Sequence, residues 1–375
     1  MILSLPKELR ELILSFLTRK EYKKIVPCKS LLLCKSYLSF ENFVKLQELH
    51  LVRLTSKELQ KLFSKYCEVG NLWLVDKLIT KFKADPSINY YDNIHIASAN
   101  DHPKIIVRIL QDPRVDPSAG DNEALRRASC NGYLEVIEIL LKDRRVNPAH
   151  DNNFAIRWAS THGHIKVVER LLLDPREFSS KELNDKSLKR LVDPSDMNDY
   201  AIRKASYYGH YEVVDRLLQD SRVDPSTDDN YAIRWASENG YPEIVERLLQ
   251  DSRVDPSTDD NYAIRCASAE GHLEVVKILL LDLREFSSLE LNDKPLKRLV
   301  DPSASDNFAI RFASDNGHIE VVKRLLQDPR VDPCAKRYQA IRRALKEGHL
   351  EIAKLLMEDY RIVTSEDSDL SEEDE

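Results

Sequence analysis

The sequence predicts an all-α solenoid of stacked helix–turn–helix units, and three regularities predict it. First, Asp-Pro returns at a fixed interval: Asp85-Pro86, Asp116-Pro117, Asp193-Pro194, Asp224-Pro225, Asp255-Pro256, Asp301-Pro302 and Asp332-Pro333, with Asn147-Pro148 in the same column. The spacings are 31, 31, 46, 31, 31, 46 and 31 residues, each 46 being 31 plus an insertion of 15. Second, a glycine column keeps the same period through Gly70, Gly132, Gly163, Gly209, Gly240, Gly271, Gly317 and Gly348. Third, apolar residues at helical spacing follow each glycine. A period of this length marks an array in which each unit buries its apolar face only against its neighbours.

Residues 224–254 show how one unit is built. Asp-Pro-Ser-Thr-Asp-Asp-Asn is turn chemistry, because Pro fixes φ and the Asp and Asn side chains bond nearby amides. Asp229 or Asn230 is then expected to cap a first helix. Ala232, Ile233 and Ala236 give that helix a closely packing face, and Asn239-Gly240 ends it through the left-handed conformation open to glycine. Ile244, Val245, Leu248 and Leu249 mark the second helix. Each unit is therefore a turn or short hairpin followed by two antiparallel helices. Asp101 stands where one glycine is missing, and the stop is expected to survive because Asp tolerates positive φ better than most residues.

These motifs resemble ankyrin repeats. Tyr231-Ala232-Ile233-Arg234-Trp235-Ala236-Ser237 echoes the family's first-helix motif, and Gly271-His272-Leu273-Glu274-Val275-Val276-Lys277-Ile278-Leu279-Leu280 matches its second almost letter for letter. The resemblance covers residues 55–362, about nine units. It implies an ankyrin-repeat solenoid with short hairpin or turn connections that binds a protein target on its concave face. The period of 31 falls short of the family's usual length, so short tips are expected, and the family's Thr-Pro helix start is absent. The repeats are also similar to those of large DNA viruses infecting amoebae, which implies action inside a host cell.

Composition narrows the function classes. Of the formal charge of −7, the segment Glu366–Glu375 supplies seven acids and no base, so residues 1–365 balance at 56 of each sign. Within that body residues 1–83 carry +8 and the remainder −8. No strongly basic field is offered to nucleic acid. Cys28, Cys34, Cys67, Cys130, Cys266 and Cys334 show no metal-ligand spacing and suit reduced thiols in the cytoplasm or nucleus. The amino terminus, broken by Lys7, Glu8, Arg10 and Glu11, does not have the pattern of a signal peptide, and no apolar run approaches membrane-spanning length. No phosphate loop, catalytic triad or ligand cluster stands out, so no catalytic residue, metal or cofactor is expected, and a monomer is.

Recurring columns and variable columns carry different expectations. Arg126, Arg157, Arg203, Arg234, Arg265, Arg311 and Arg342 share one column with His95. They form either a cationic ladder or a structural brace onto tip carbonyls or the Asp of the Asp-Pro turn. His164, His210, His272, His318 and His349 follow the glycines, which accounts for His162-Gly163-His164 without a metal. Recognition needs variation, so the partner-binding candidates are the pairs at the end of the first helix. These are Thr161/His162, Tyr207/Tyr208, Glu238/Asn239, Ala269/Glu270 and Asp315/Asn316, with Cys130/Asn131 and Lys346/Glu347 in the same register. Tyr207 and Tyr208 stand out, since aromatics dominate interface energetics; the alternative is a pair lying over its own repeat. Trp158, Trp235 and Phe312 share a column with Ile96 and Cys266 and read as packing between helices.

The insertions near 176–190 and 284–298 are near copies, Arg176-Glu177-Phe178-Ser179-Ser180 recurring as Arg284-Glu285-Phe286-Ser287-Ser288. They are either two prongs of a partner site or inherited duplication. Residues 1–54 leave the repeat pattern. Leu5, Pro6, Leu9, Ile13 and Leu14 resemble the opening of an F-box, a helical module that docks a Skp-type adaptor of cullin-based ubiquitin ligases; the later part of the segment departs from that family. The alternative is a helical cap over the first repeat. Residues 363–375 form an acidic tail expected to be disordered. Together these features predict a non-enzymatic adaptor or, with the cap alone, a bare binding scaffold.

Overall fold

The computed structural model describes residues 55–87, 92–174, 192–281 and 300–359. Leu5, Pro6, Leu9, Ile13 and Leu14, both insertions and the acidic tail lie outside the described residues. The chain divides into two compact units, Met1–Ala155 and Ile156–Glu375. Among the described residues every regular element is a helix, and together they form an all-α repeat solenoid.

The first unit holds α1 (Ser56–Glu68), α2 (Leu72–Thr80), α3 (Asp92–Ala99), α4 (Pro103–Ile109), α5 (Ala119–Asn131) and α6 (Leu134–Leu140). The division falls inside α7 (His150–Thr161). The second unit continues with α8 (Ile165–Leu172), α9 (Asp196–Tyr207), α10 (Tyr211–Leu218), α11 (Thr227–Glu238), α12 (Pro242–Leu249) and α13 (Thr258–Ala269). It ends with α14 (Leu273–Leu281), α15 (Ala304–Asp315), α16 (Ile319–Leu326), α17 (Ala335–Lys346) and α18 (Leu350–Met357). Within each unit first helices pack on first helices and second helices on second helices.

The core is one pattern repeated. Ala232, Ile233 and Ala236 on α11, and Val245 and Leu248 on α12, are fully buried. The valine before each Asp-Pro, from Val115 to Val331, closes the joint below them. Alanines let the first helices approach closely. The second helices supply the bulk, at about 2 kcal/mol for each buried Val or Leu.

Of the two expected connections, turn or short hairpin, the described residues take the turn. No strand forms among the described residues. Instead three consecutive residues enter the left-handed region before the right-handed turns begin: Asp228, Asp229 and Asn230 with φ of 55°, 53° and 56°, and Asp259, Asp260 and Asn261 with 52°, 53° and 59°. The same triplet recurs at 120–122, 151–153, 197–199, 305–307 and 336–338. Such backbone costs roughly 1–2 kcal/mol per residue, least for Gly, Asn and Asp, and those residues fill most of these positions. The third residue keeps a bond four residues back, Asn230 N–H donating to the Ser226 carbonyl at 2.9 Å. A 31-residue period is therefore reached with a single left-handed turn.

That turn also corrects the expected cap. The Asn230 carboxamide oxygen accepts from the Asp255 N–H of the next repeat at 2.8 Å. The helix gives up a local cap and the array gains a buried joint.

Candidate functional site

The recurring polar residues prove to be braces between repeats. At each Asp-Pro but the last the Asp carboxylate accepts from the N–H and hydroxyl of the serine two residues on, at 3.0 and 2.7 Å for Asp224 and Ser226; at Asp332 it accepts from the Cys334 N–H at 2.8 Å. The buried third turn residue then reaches the next Asp N–H: Asn122 to Asn147 at 2.8 Å, Asn261 to Asp301 at 2.7 Å and Asn307 to Asp332 at 2.6 Å. A second brace follows the second helix. Arg253 grips Asp251 with two donors at 2.9 and 2.6 Å and reaches the Val223 carbonyl of the previous repeat at 3.0 Å. Arg222 and Arg330 do the same with Asp220 and Asp328. The bond from Arg222 holds the Asp220 carboxyl below its usual range.

In this column of joints one residue departs. Asp199 replaces the Asn and still accepts from Asp224 N–H at 2.8 Å. Burial pushes its carboxyl up to about 6, helped by Asp224 and Asp193 and opposed by that amide bond and Arg203.

The arginine column follows the structural alternative, with partners of its own. Arg265 donates to the carbonyls of Asp260 and Asp259 at 2.7 and 2.9 Å, and Arg311 to those of Asp306 and Ser305 at 2.8 and 2.9 Å. Arg203 adds Asp228 of the next repeat at 2.6 Å and Arg234 adds Asp259 at 3.0 Å. The acid is thus the first left-handed residue, not the Asp of Asp-Pro. The guanidinium satisfies carbonyls that the left-handed turn turns away from the helix.

An aromatic column that sequence reasoning missed flanks these arginines. Arg203 lies 6.0 and 5.1 Å from the Tyr200 and Tyr231 rings, and Arg265 lies 5.9 and 5.1 Å from Tyr262 and Phe308. The signal was available: Phe154, Tyr200, Tyr231, Tyr262 and Phe308 each precede their arginine by three residues, one turn of helix.

The variable pairs all sit at the carboxyl ends of first helices, as their register requires. Most of these side chains make local or inter-repeat bonds. Thr161 bonds to the Arg157 carbonyl at 2.8 Å and Asn239 to the Trp235 carbonyl at 2.8 Å. Asn316 reaches the Ala269 carbonyl at 2.7 Å, Asp315 pairs with Arg343, and Glu238 accepts from the Tyr262 hydroxyl. Burial and that carboxylate raise the Tyr262 hydroxyl above its usual range. Ala269 is partly exposed and Glu270 exposed. His162 is exposed, donates through Nδ1 to the Trp158 carbonyl at 2.9 Å, and stacks on Trp158 and His164.

Tyr207 and Tyr208 belong to a larger cluster. Their rings meet edge to face at 4.8 Å, Tyr207 lies 5.4 Å from Trp235, and Trp235 lies 5.5 Å from Tyr231 and 6.2 Å from Tyr262. Tyr208 remains 50% exposed. Trp235 is therefore more than interhelical packing, since it supports an aromatic surface that reaches solvent.

The histidine column has a structural cause. His210, His272 and His349 donate through Nε2 to carbonyls of the preceding repeat at 3.0, 2.9 and 3.1 Å. Each ring lies over the preceding glycine; a Cβ on Gly163 would stand 2.6 Å from His210. Asp101 does hold positive φ, at 56°. Among the described residues no group of three His, Cys, Asp or Glu is placed to hold a metal, and no helix is long and apolar enough to cross a membrane.

No curated protein matches the chain significantly. The family model described as ankyrin repeats, three copies, matches residues 94–187, 125–227, 158–260, 200–293 and 264–367. Repeats of this kind serve as protein–protein interaction scaffolds. With these matches spanning most of its length, and with paired helices ended by left-handed glycines, the chain belongs to the ankyrin-repeat family.

Proposed function

We propose that this chain is a substrate-binding adaptor. Its array holds a protein target on the face carrying Tyr207, Tyr208 and Trp235, and its first 54 residues recruit a cullin-type ubiquitin ligase. The observation that carries the target-binding half is the aromatic cluster, whose outermost ring, Tyr208, is half exposed while its neighbours are braced from below. Rigid aromatics on a braced surface give contact area at low entropic cost. The ligase half is supported by Leu5, Pro6, Leu9, Ile13 and Leu14, placed as an F-box docking motif would have them. Such an adaptor works in the cytoplasm or nucleus, without cofactor or catalysis.

Co-purification of residues 1–375 and 55–375 with a Skp-type adaptor tests the ligase link. Retention by the full chain alone, lost on Leu9→Asp plus Ile13→Asp, is the expected result. No retention by either leaves a bare ankyrin scaffold. That second reading is favoured by the cover a terminal repeat requires, and it predicts that the same double substitution lowers the stability of the array instead.

A further inference from the structure

Lys204 on α9 lies beside Tyr207, in the column of Trp158, Trp235, Cys266, Phe312 and Arg343. Its Nζ stands 5.8, 5.2 and 5.3 Å from the ring centroids of Tyr200, Tyr207 and Tyr231, and donates to the Tyr231 hydroxyl at 3.3 Å. The side chain is partly buried. Among the described residues it forms no ion pair, whereas its neighbour Arg203 is paired with Asp228.

The last repeat supplies an internal control. Arg343 occupies the same column, lies 4.5 Å from the Phe312 ring, and is paired with Asp315 of the preceding repeat. The position corresponding to Asp315 before Lys204 is Thr161, a neutral residue whose hydroxyl is turned onto the Arg157 carbonyl. One repeat beyond Tyr207, Glu238 is held by the Tyr262 hydroxyl. The chain thus brings an ammonium into a partly desolvated aromatic setting without the acid it provides elsewhere.

We infer that the target recognised on this face carries an Asp or Glu side chain that seats on Lys204, beside an apolar or aromatic residue that packs on Tyr208. π faces stabilise an ammonium only in part, and a carboxylate meeting a partly desolvated lysine gains more than one meeting a surface lysine. This inference rests on the target-binding reading above and names the chemistry of the target.

The test is selection of a random peptide library displayed on phage against the full chain, with thermal unfolding of each variant as a folding control. The expected peptides are enriched in Asp or Glu next to an aromatic or aliphatic residue. Their binding weakens about tenfold or more in Lys204→Met, Lys204→Glu and Tyr208→Ala, and is largely kept in Lys204→Arg. Selection on Lys204→Glu then yields basic peptides. Peptides that depend on Tyr208 but show no acidic enrichment, or that bind Lys204→Glu undiminished, overturn the inference and leave the target-binding reading standing. Absence of any peptide sensitive to Tyr208→Ala overturns both.

Discussion

Residues 92–155 and residues 192–346 share one frame, yet their arginine columns have different neighbours. In the second unit Tyr200, Tyr262 and Phe308 stack with the arginine three residues on, and Tyr231 stacks with Arg203 of the preceding repeat. In the first unit the residue three before Arg126 is Glu123, whose carboxylate is paired with both Arg126 and Arg127, and the one ring over Arg126 among the described residues is Phe154 of the next repeat, at 5.2 Å. Gly120 stands where the second unit has Asp228 or Asp259. An open, polar groove of about 690 Å³ results there, lined by Glu68, His95, Asn100, Glu123, Arg126 and Arg127 among others. The braces, in contrast, are common to both: the Asp-Pro-Ser turn at Asp116, the Asn122 joint and the Arg145 grip on Asp143 match their counterparts at Asp224, Asn230 and Arg253. What every repeat needs is constant, and what lies over the arginines is free to differ.

The largest expected effect breaks the frame. Gly317→Ala places a Cβ 2.6 Å from the His349 ring at a φ of 81°, and should cost about 2–4 kcal/mol in the repeats around it. Asp101→Gly, in the first unit, removes a side chain from a position that already holds positive φ and should be neutral or stabilising. Urea unfolding followed by hydrogen exchange reads both locally, and equal effects at the two sites would show that the ring contact carries no weight.

The next effect concerns the buried joints. Asn230→Ala leaves the Asp255 N–H without its acceptor and should cost about 2 kcal/mol. Asp199→Asn should act in the opposite direction, stabilising by about 1–2 kcal/mol at neutral pH. The folded-state value of Asp199 is raised from 3.8 to about 6, so its contribution is most favourable below pH 3.8 and is lost as pH rises through 6. Asp199→Asn removes that slope, and Asn122→Asp should import it into the first unit. Thermal unfolding between pH 4 and pH 8 checks all three; a flat Asp199 profile would count against the burial argument.

The smallest effects probe the arginine column itself. Arg234→Lys loses the forked contact to the Asp228 carbonyl and Asp259 and should cost about 1 kcal/mol. Glu123→Tyr should give Arg126 a second ring beside Phe154, with a change of a few tenths of a kcal/mol. A loss above about 1 kcal/mol would mean that the Glu123 pairs are structural rather than tolerated.

Much of this was legible in the sequence, because a solenoid repeats its local instructions. The helix pairs, the glycine stops, the Asp101 substitute and the structural role of the arginines all follow from columns 31 residues apart. The reading erred where local rules gave two outlets for one side chain. Asp and Asn after Asp-Pro-Ser look like helix caps, and only the neighbouring repeat reveals that Asn230 serves Asp255 instead. The aromatic column at Tyr200, Tyr231 and Tyr262 was visible as a period but had no evident partner, since its arginine sits on both its own repeat and the next.

The sequence by itself determined the repeat, the helix pairs and the register of the variable positions, because turn chemistry and helical periodicity act over a few residues. Tertiary structure decided which of those positions remain available to a partner. Glu238, Asp315 and Asn316 are engaged across repeats, while Tyr208 stays half exposed and Lys204 stays without an acid. Those assignments depend on side chains 24 to 47 residues apart in the chain, and the distance between such residues exists only once the helices have stacked.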